Sequence, residues 1–180
     1  MNIEKIADII CQTARDEDIE LSELANEGIF WMPELAFVYQ CGKNIIREAE
    51  SVFGTSEVIW YREKNYGNGG PTDLAFELPN GELLAIEFKL RATTTAYEGD
   101  VKKLCRISRP QTTRLFCALV DVFESVITGD DGRQKHIETL PGYRVTPIKK
   151  LSFSTKQNWY KSPVKCVACV WSVELESETR

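Results

Sequence analysis

Apolar positions along this chain change period several times, and each change marks an expected element. "IEKIADIICQTA" carries apolar residues at helical spacing, and "LSELANEG" reads as a second short helix closing on Gly28. In "WMPELAFVYQCGKNIIREAES", Pro33 suits a first helical position, and Leu35, Val38, Gly42, Ile45 and Ala49 follow at helical spacing. Glu34 falls in the first turn, in line with Val38, Cys41 and Ile45, where a carboxylate favours the helix dipole. "EVIWYREKNY" reads as a strand, "GNGGP" as a turn and residues 72–90 as a hairpin. "TTTAYEGDVKKLCRIS" predicts a helix opened by a capping box of Thr95 and Glu98, with a buried stripe of Tyr97, Val101, Leu104, Cys105 and Ser108. "TRLFCALVDVF" is apolar enough for a central strand. Beyond "TGDDGR" the pattern predicts irregular, Pro-punctuated chain until a last strand, "VKCVACVWSVEL".

The hairpin raises a chemical question, because Asp73 stands on its first arm and Glu87 and Lys89 on its second. A two-residue Asn80-Gly81 loop would place Asp73 opposite Phe88 and send the two carboxylates to different faces. A three-residue Pro79-Asn80-Gly81 loop pairs Leu78 with Glu82 and puts Asp73 across from Glu87. Only the second register gives a complete apolar face: Leu74, Phe76, Leu78, Leu84, Ile86, Phe88 and Leu90. The other face then carries Asp73, Ala75, Glu77, Leu83, Ala85, Glu87 and Lys89, with small alanines expected to leave room for a ligand. Two carboxylates with Cα atoms roughly 5 Å apart make a site for a hard divalent cation that keeps several waters. Lys89 can partly neutralise the pair without it. The bland alternative is a Lys-bridged surface pair of little energetic weight.

Composition narrows the chemistry further. The 180 residues, 43% of them hydrophobic, suffice for one well-filled core, so a single domain is expected. Within it, residues 1–28 read as an acidic helical extension, 29–125 as the core, and 126–180 as basic and aromatic loops with a final strand. No run of about 18 apolar residues could span a bilayer, and the start has early acidic residues and no small-residue cleavage site, which predicts a soluble, cytoplasmic protein without membrane contact. The six cysteines sit mostly in apolar surroundings that suit reduced core thiols, and the lone CxxC, Cys166 and Cys169, would lack ligands for zinc. One histidine, His136, leaves little for His-based triads or metal sites and is expected to be solvated.

In their order, these residues resemble the PD-(D/E)XK nuclease superfamily, the restriction-endonuclease-like fold. The resemblance covers about residues 33–123: a helix with Glu34, a strand, "PTD" with Asp73, "EFK" with Glu87 and Lys89, then a helix with "GDVKKL" and an apolar strand. Of two acid-x-Lys triplets, Glu87-Phe88-Lys89 and Asp100-Val101-Lys102, only the first lies in a strand after an acidic partner. Pro71 and Asp73 are separated by Thr72 where the family name implies adjacency. The resemblance implies an α-β-β-β-α-β core, with a central mixed sheet flanked by helices, an N-terminal helical extension and C-terminal additions. It also implies phosphodiester hydrolysis by a metal-activated water. Asp73 and Glu87 would then hold Mg²⁺, or Mn²⁺ in its place, helped by the backbone carbonyl of Phe88. Glu34 would reach the site directly or through water, and Lys89 would orient or deprotonate the attacking water.

The net charge of −5 is unevenly spread: residues 1–27 carry eight acidic and two basic side chains, residues 128–165 eight basic and three acidic ones. The basic segment interleaves Lys149 and Lys150 with aromatic residues including Trp159, the combination a nucleic-acid groove needs. Lys102 and Lys103 in the preceding helix are candidates for phosphate contact. The expected partner is nucleic acid, with DNA favoured, and a homodimer is one way for so compact a chain to reach both strands. The alternatives are a non-catalytic nuclease-fold module that binds nucleic acid or protein, and an accessory protein working through its acidic first 27 residues.

Overall fold

The computed structural model describes residues 1–176. Its six strands form one mixed sheet in the order β1-β2-β3-β4-β6-β5. They are β1 (Ile59–Asn65), β2 (Pro71–Glu77), β3 (Leu83–Leu90), β4 (Thr112–Phe123), β5 (Tyr143–Thr155) and β6 (Val164–Leu175). β3 and β4 run parallel, joined by helix α4 (Thr94–Cys105), and the other neighbouring pairs are antiparallel. A parallel pair needs such a crossover, and the helix it brings covers one face. β4 lies between β3 and β6 with Leu115 to Val120 all buried, which accounts for its unbroken apolar run.

The hairpin closes in the three-residue register. Leu78 donates its N–H to Glu82 O at 3.0 Å, Gly81 donates to Leu78 O at 3.0 Å, and Gly81 takes φ 88°. Leu74 pairs with Ile86 and Phe76 with Leu84. Leu74, Phe76, Leu84, Ile86 and Phe88 join one core layer under the first three helices. Ala75, Leu83 and Ala85 join the other, under Tyr97, Val101 and Leu104 of α4. The expected ligand space above the alanines is therefore absent: Ala75 and Ala85 are both 0% exposed, and their small side chains let α4 lie close.

The N-terminal 24 residues hold one helix, α1 (Ile3–Leu24), rather than two, because no glycine or proline interrupts it. Its apolar face (Ile6, Ala7, Ile10, Cys11, Ala14) is buried against β5, β6 and α2 (Glu34–Arg47). α2 buries Phe37, Val38, Cys41, Gly42 and Ile45, while Leu35 is exposed and Ala49 begins a separate short helix, α3 (Ala49–Phe53). Gly42 is required there, since a Cβ would lie 2.4 Å from the Trp60 ring. α4 is capped by Thr93, whose hydroxyl accepts from Ala96 N–H at 3.4 Å, so the capping box of Thr95 and Glu98 does not form. The helix ends at Cys105, which leaves that residue half-buried and Ser108 exposed.

Residues 133–155, expected to be irregular, instead contain α5 (Arg133–Glu138) and the 13-residue β5. β5 is the outer strand, and a register shift between Pro147 and Lys149 breaks its alternation. Proline is tolerated at such an edge irregularity. The acidic start and the basic end meet across this strand: Lys149 pairs with Asp8 at 2.6 Å, and Asn158 donates to Glu27 at 2.6 Å. Buried Asp18 accepts from Ile29 N–H at 2.8 Å and from the Thr155 hydroxyl. Gly28 closes this corner, where a Cβ would meet Thr155 Oγ1 at 1.9 Å.

At the opposite rim, β1 pairs Arg62 with Leu74 and Lys64 with Thr72, but Glu63 between them is turned to φ 53°. Cys166 packs in the α1 layer and Cys169 in the α4 layer, so the CxxC thiols face opposite sides of β6. Among the described residues, no helix is long and apolar enough to cross a membrane.

Candidate active site

The end of β3 gathers charged side chains from four elements. β2 supplies Asp73, β3 supplies Glu87 and Lys89, α2 supplies Glu34 from its first turn, and α4 supplies Asp100 and Lys103. The β2–β3 register continued one step beyond Leu74 and Ile86 sets Asp73 across from Glu87. Asp73 Oδ2 accepts the N–H of Phe88 at 2.8 Å, a side chain standing in for a ladder bond.

Glu87 is 0% exposed, and its Oε1 has no hydrogen-bond partner. Its Oε2 lies 2.6 Å from Lys103 Nζ, an ion pair set obliquely to hydrogen-bond geometry. Burial, reinforced by Asp73, pushes the Glu87 carboxyl up to about 9, with Lys103 pulling the other way. Glu77, on the same face of the hairpin, makes the contrast plain. It too is pushed up by burial, but Lys64 at 2.6 Å, Tyr66 at 3.0 Å and Arg109 at 2.9 Å hold it below the usual carboxylate range. Glu77 is a satisfied structural carboxylate; Glu87 is not.

Lys89 Nζ lies 3.0 Å from Asp100 Oδ2 and 3.4 Å from Glu34 Oε1, and donates to the Phe88 carbonyl at 3.0 Å. Burial alone would lower its pKa, but Asp100, Glu34 and Asp73 together raise it, so Lys89 is an ammonium here. Glu34 Oε2 also accepts the N–H of Leu90 at 2.9 Å. Asp100 is pushed up by burial against the pull of Lys89 and Lys103. The structure thus brings Asp73, Glu87, Lys89 and Glu34 together at the end of β3. Asp100 was seen only as part of the unused acid-x-Lys triplet. Its signal was its place in the Tyr97, Val101 and Leu104 stripe, three residues from each of Tyr97 and Lys103.

The residues expected to contact nucleic acid divide differently. Lys103 lies inside the cluster, donating also to Pro71 O at 2.9 Å, and Lys102 pairs with Glu98 at 2.9 Å. Lys149 is engaged with Asp8 on the far edge of the sheet, and Lys150 stands beside it on β5. Trp159 is 51% exposed, with the Arg91 guanidinium 4.5 Å from its ring centroid. His136, on α5 rather than in a loop, contacts Glu98 at 2.7 Å.

Among the described residues, no group of three or more Asp, Glu, His or Cys side chains is arranged to hold a metal ion. A smaller donor set does fit one. The buried, partnerless Glu87 Oε1 beside the Asp73 carboxylate suits a hard cation that keeps most of its waters. Glu34 and the Phe88 carbonyl are directed to Lys89 and Leu90 instead. A hollow of about 890 Å³ between α1, the end of α2 and β5 lies away from this cluster, and two of the cations that line it are already paired, Lys5 with Glu48 at 2.7 Å and Lys149 with Asp8 at 2.6 Å. Comparison of the chain with protein-family models, with curated proteins and with solved structures gave no match.

Proposed function

We propose that this chain is a metal-dependent nuclease of the PD-(D/E)XK kind, hydrolysing phosphodiester bonds in nucleic acid. The observation that carries the reading is the buried Glu87 carboxylate, one oxygen without a partner, set against Asp73 with Lys89 two residues along the strand. A structural carboxylate would be satisfied as Glu77 is. The element order α2, α3, β1, β2, β3, α4, β4 supports the reading, with the short α3 inserted into the α-β-β-β-α-β order that the resemblance implies.

Asp73 and Glu87 would hold Mg²⁺ or Mn²⁺, which when bound lowers the pKa of a coordinated water and stabilises charge on phosphoryl oxygens. Lys89 keeps its proton at Nζ while Asp100 and Glu34 face it, so in this arrangement it orients water or a phosphoryl oxygen by donating hydrogen bonds. Asp100 and Glu34 position that ammonium and hold the end of β3. α4, packed over Ala75 and Ala85, covers the Glu87 side of the pair, while Asp73 stays partly open to water.

The test is incubation of the protein with supercoiled plasmid and with single-stranded DNA and RNA, with Mg²⁺, Mn²⁺ or EDTA. Metal-dependent cleavage should fall by about 10²-fold or more in Asp73→Ala and Lys89→Ala, the scale of a lost positioned proton donor or metal ligand. Cleavage absent with both metals, or unchanged in both variants, overturns the reading. One observation favours the second reading, a non-catalytic module: Lys103 already neutralises Glu87 from within. Tight binding of nucleic acid without cleavage would select it.

A further inference from the structure

We propose that the acid cluster is served by a track for single-stranded nucleic acid, built from two aromatic–guanidinium stacks, Arg91 on Trp159 and Arg62 on Tyr39. The proposal rests on the nuclease reading above.

The first stack is Arg91 on Trp159. Arg91 directly follows Leu90, whose N–H Glu34 holds, and its guanidinium lies 4.5 Å from the Trp159 centroid and 5.8 Å from that of Phe30. The carboxylates of the neighbourhood are committed elsewhere: Glu34 and Asp100 to Lys89, Glu87 to Lys103, Asp121 to Arg133. Arg91 also holds φ 50°, a left-handed backbone that an arginine adopts at a cost. Strain in an exposed cationic residue two positions from Lys89 is a mark of a functional constraint on where that side chain points.

The second stack is Tyr39 beneath Arg62. The Arg62 guanidinium is 5.6 Å from the Tyr39 centroid, Lys43 Nζ is 6.0 Å from it, and the Trp60 ring supports it at 5.7 Å. Tyr39 lies five residues beyond Glu34 on α2, about 7.5 Å of helix rise. Leu35 and Tyr39, at 50% and 46% exposure, stand one turn apart on α2, and Trp31, at 52%, ends the short turn Ile29–Trp31 that precedes the helix. Two cation-stacked aromatic rings, one reached from Arg91 at the end of β3 and one on α2, combine the stacking surface and positive charge that a strand-binding groove needs.

A duplex hides its base faces, so the aromatic surfaces can be covered only by unpaired bases. A stacked guanidinium keeps its edge free for phosphate, which a hydrated ammonium on a flexible stem does less well. A strand held at Arg91 would pass the end of β3, where Leu90 is bonded to Glu34 and Lys89 lies two residues back.

The experiment measures binding by the full chain in EDTA, so that cleavage does not intervene. Fluorescence-labelled oligothymidylate and a duplex of the same length are titrated against wild type, Arg91→Ala, Trp159→Ala and Arg62→Ala, with thermal melts to confirm folding. The expected result is single-strand binding about tenfold or more tighter than duplex, quenching of tryptophan emission, and about tenfold weakening in each variant. All three side chains are exposed or edge-placed, so loss of fold in one variant leaves the other two decisive. Equal affinity for duplex, or wild-type affinity in the folded variants, overturns the track. Binding of a protein partner along α2 with no nucleic-acid affinity overturns it as well. Wild-type cleavage alongside unaffected variant binding removes the track and keeps the nuclease; track-dependent binding without metal-dependent cleavage does the reverse.

Discussion

Glu87 is held in an environment that disfavours its charged form, fully buried with one oxygen lacking a partner. A buried carboxyl pushed up to about 9, against about 4.5 for a free glutamate, keeps a proton in the folded state that the unfolded chain has released. Stability from that proton is complete below about 4.5 and is lost as pH rises through about 9. Metal-free protein should therefore melt progressively lower across this window, and Glu87→Gln should flatten the dependence and melt above wild type at its alkaline end. Each kcal/mol of relief corresponds to about 2–4 °C in a chain of this size. Calorimetry in EDTA across that pH range checks it, and an unchanged slope in Glu87→Gln would assign the dependence elsewhere. Gly28 sets the other residue-scale limit. Its place is fixed by close approach, a Cβ there meeting Thr155 Oγ1 at 1.9 Å and Lys156 O at 2.5 Å. Gly28→Ala should cost about 1–3 kcal/mol, read as a lowered melting temperature with site chemistry intact.

At the scale of elements, α4 does what the hairpin cannot do alone. It crosses from β3 to β4 over small alanines and, from one turn, delivers Asp100 to Lys89 and Lys103 to Glu87. Lys103→Met keeps most of the side-chain volume but removes the charge facing Glu87. The variant should melt lower than wild type in EDTA and gain more than wild type from millimolar Mg²⁺, since a ligand that binds only the folded state stabilises it by mass action. Equal gains in both would show that Lys103 does not compete for that carboxylate. The register of the hairpin was legible in the sequence because each of its faces carries a consistent set of side chains, and a one-residue slip would mix them. Asp100 was not, because its role depends on where a helix lies over a sheet, which the period of the helix alone does not specify. β5 was hidden for a different reason. An outer strand with a shifted register and half-exposed basic residues presents neither strict alternation nor an apolar run.

Over the whole molecule, the charge asymmetry read from the sequence has an internal counterpart. The acidic first helix lies along the basic fifth strand, with Asp8 on Lys149, so part of each field is satisfied within the fold. Lys149 is thus engaged by Asp8 within the fold, whereas the Arg91 and Arg62 guanidinium groups lie over aromatic rings. Removing residues 1–27 would expose the apolar face that Ile6, Ile10 and Ala14 cover, so truncation should yield aggregating protein rather than a trimmed active core. Size-exclusion chromatography of the truncated chain decides this. A substrate of one strand would also remove the need for two copies to reach across a duplex.

The turned backbone at Glu63 bears on how copies of this chain tolerate crowding. An uninterrupted outer strand would offer a row of free amides onto which another sheet could grow, the route by which β proteins assemble into fibrils. Glu63 breaks that row midway along the first strand and sets an acidic side chain at the break, so this rim of the sheet is poorly suited to seed such growth.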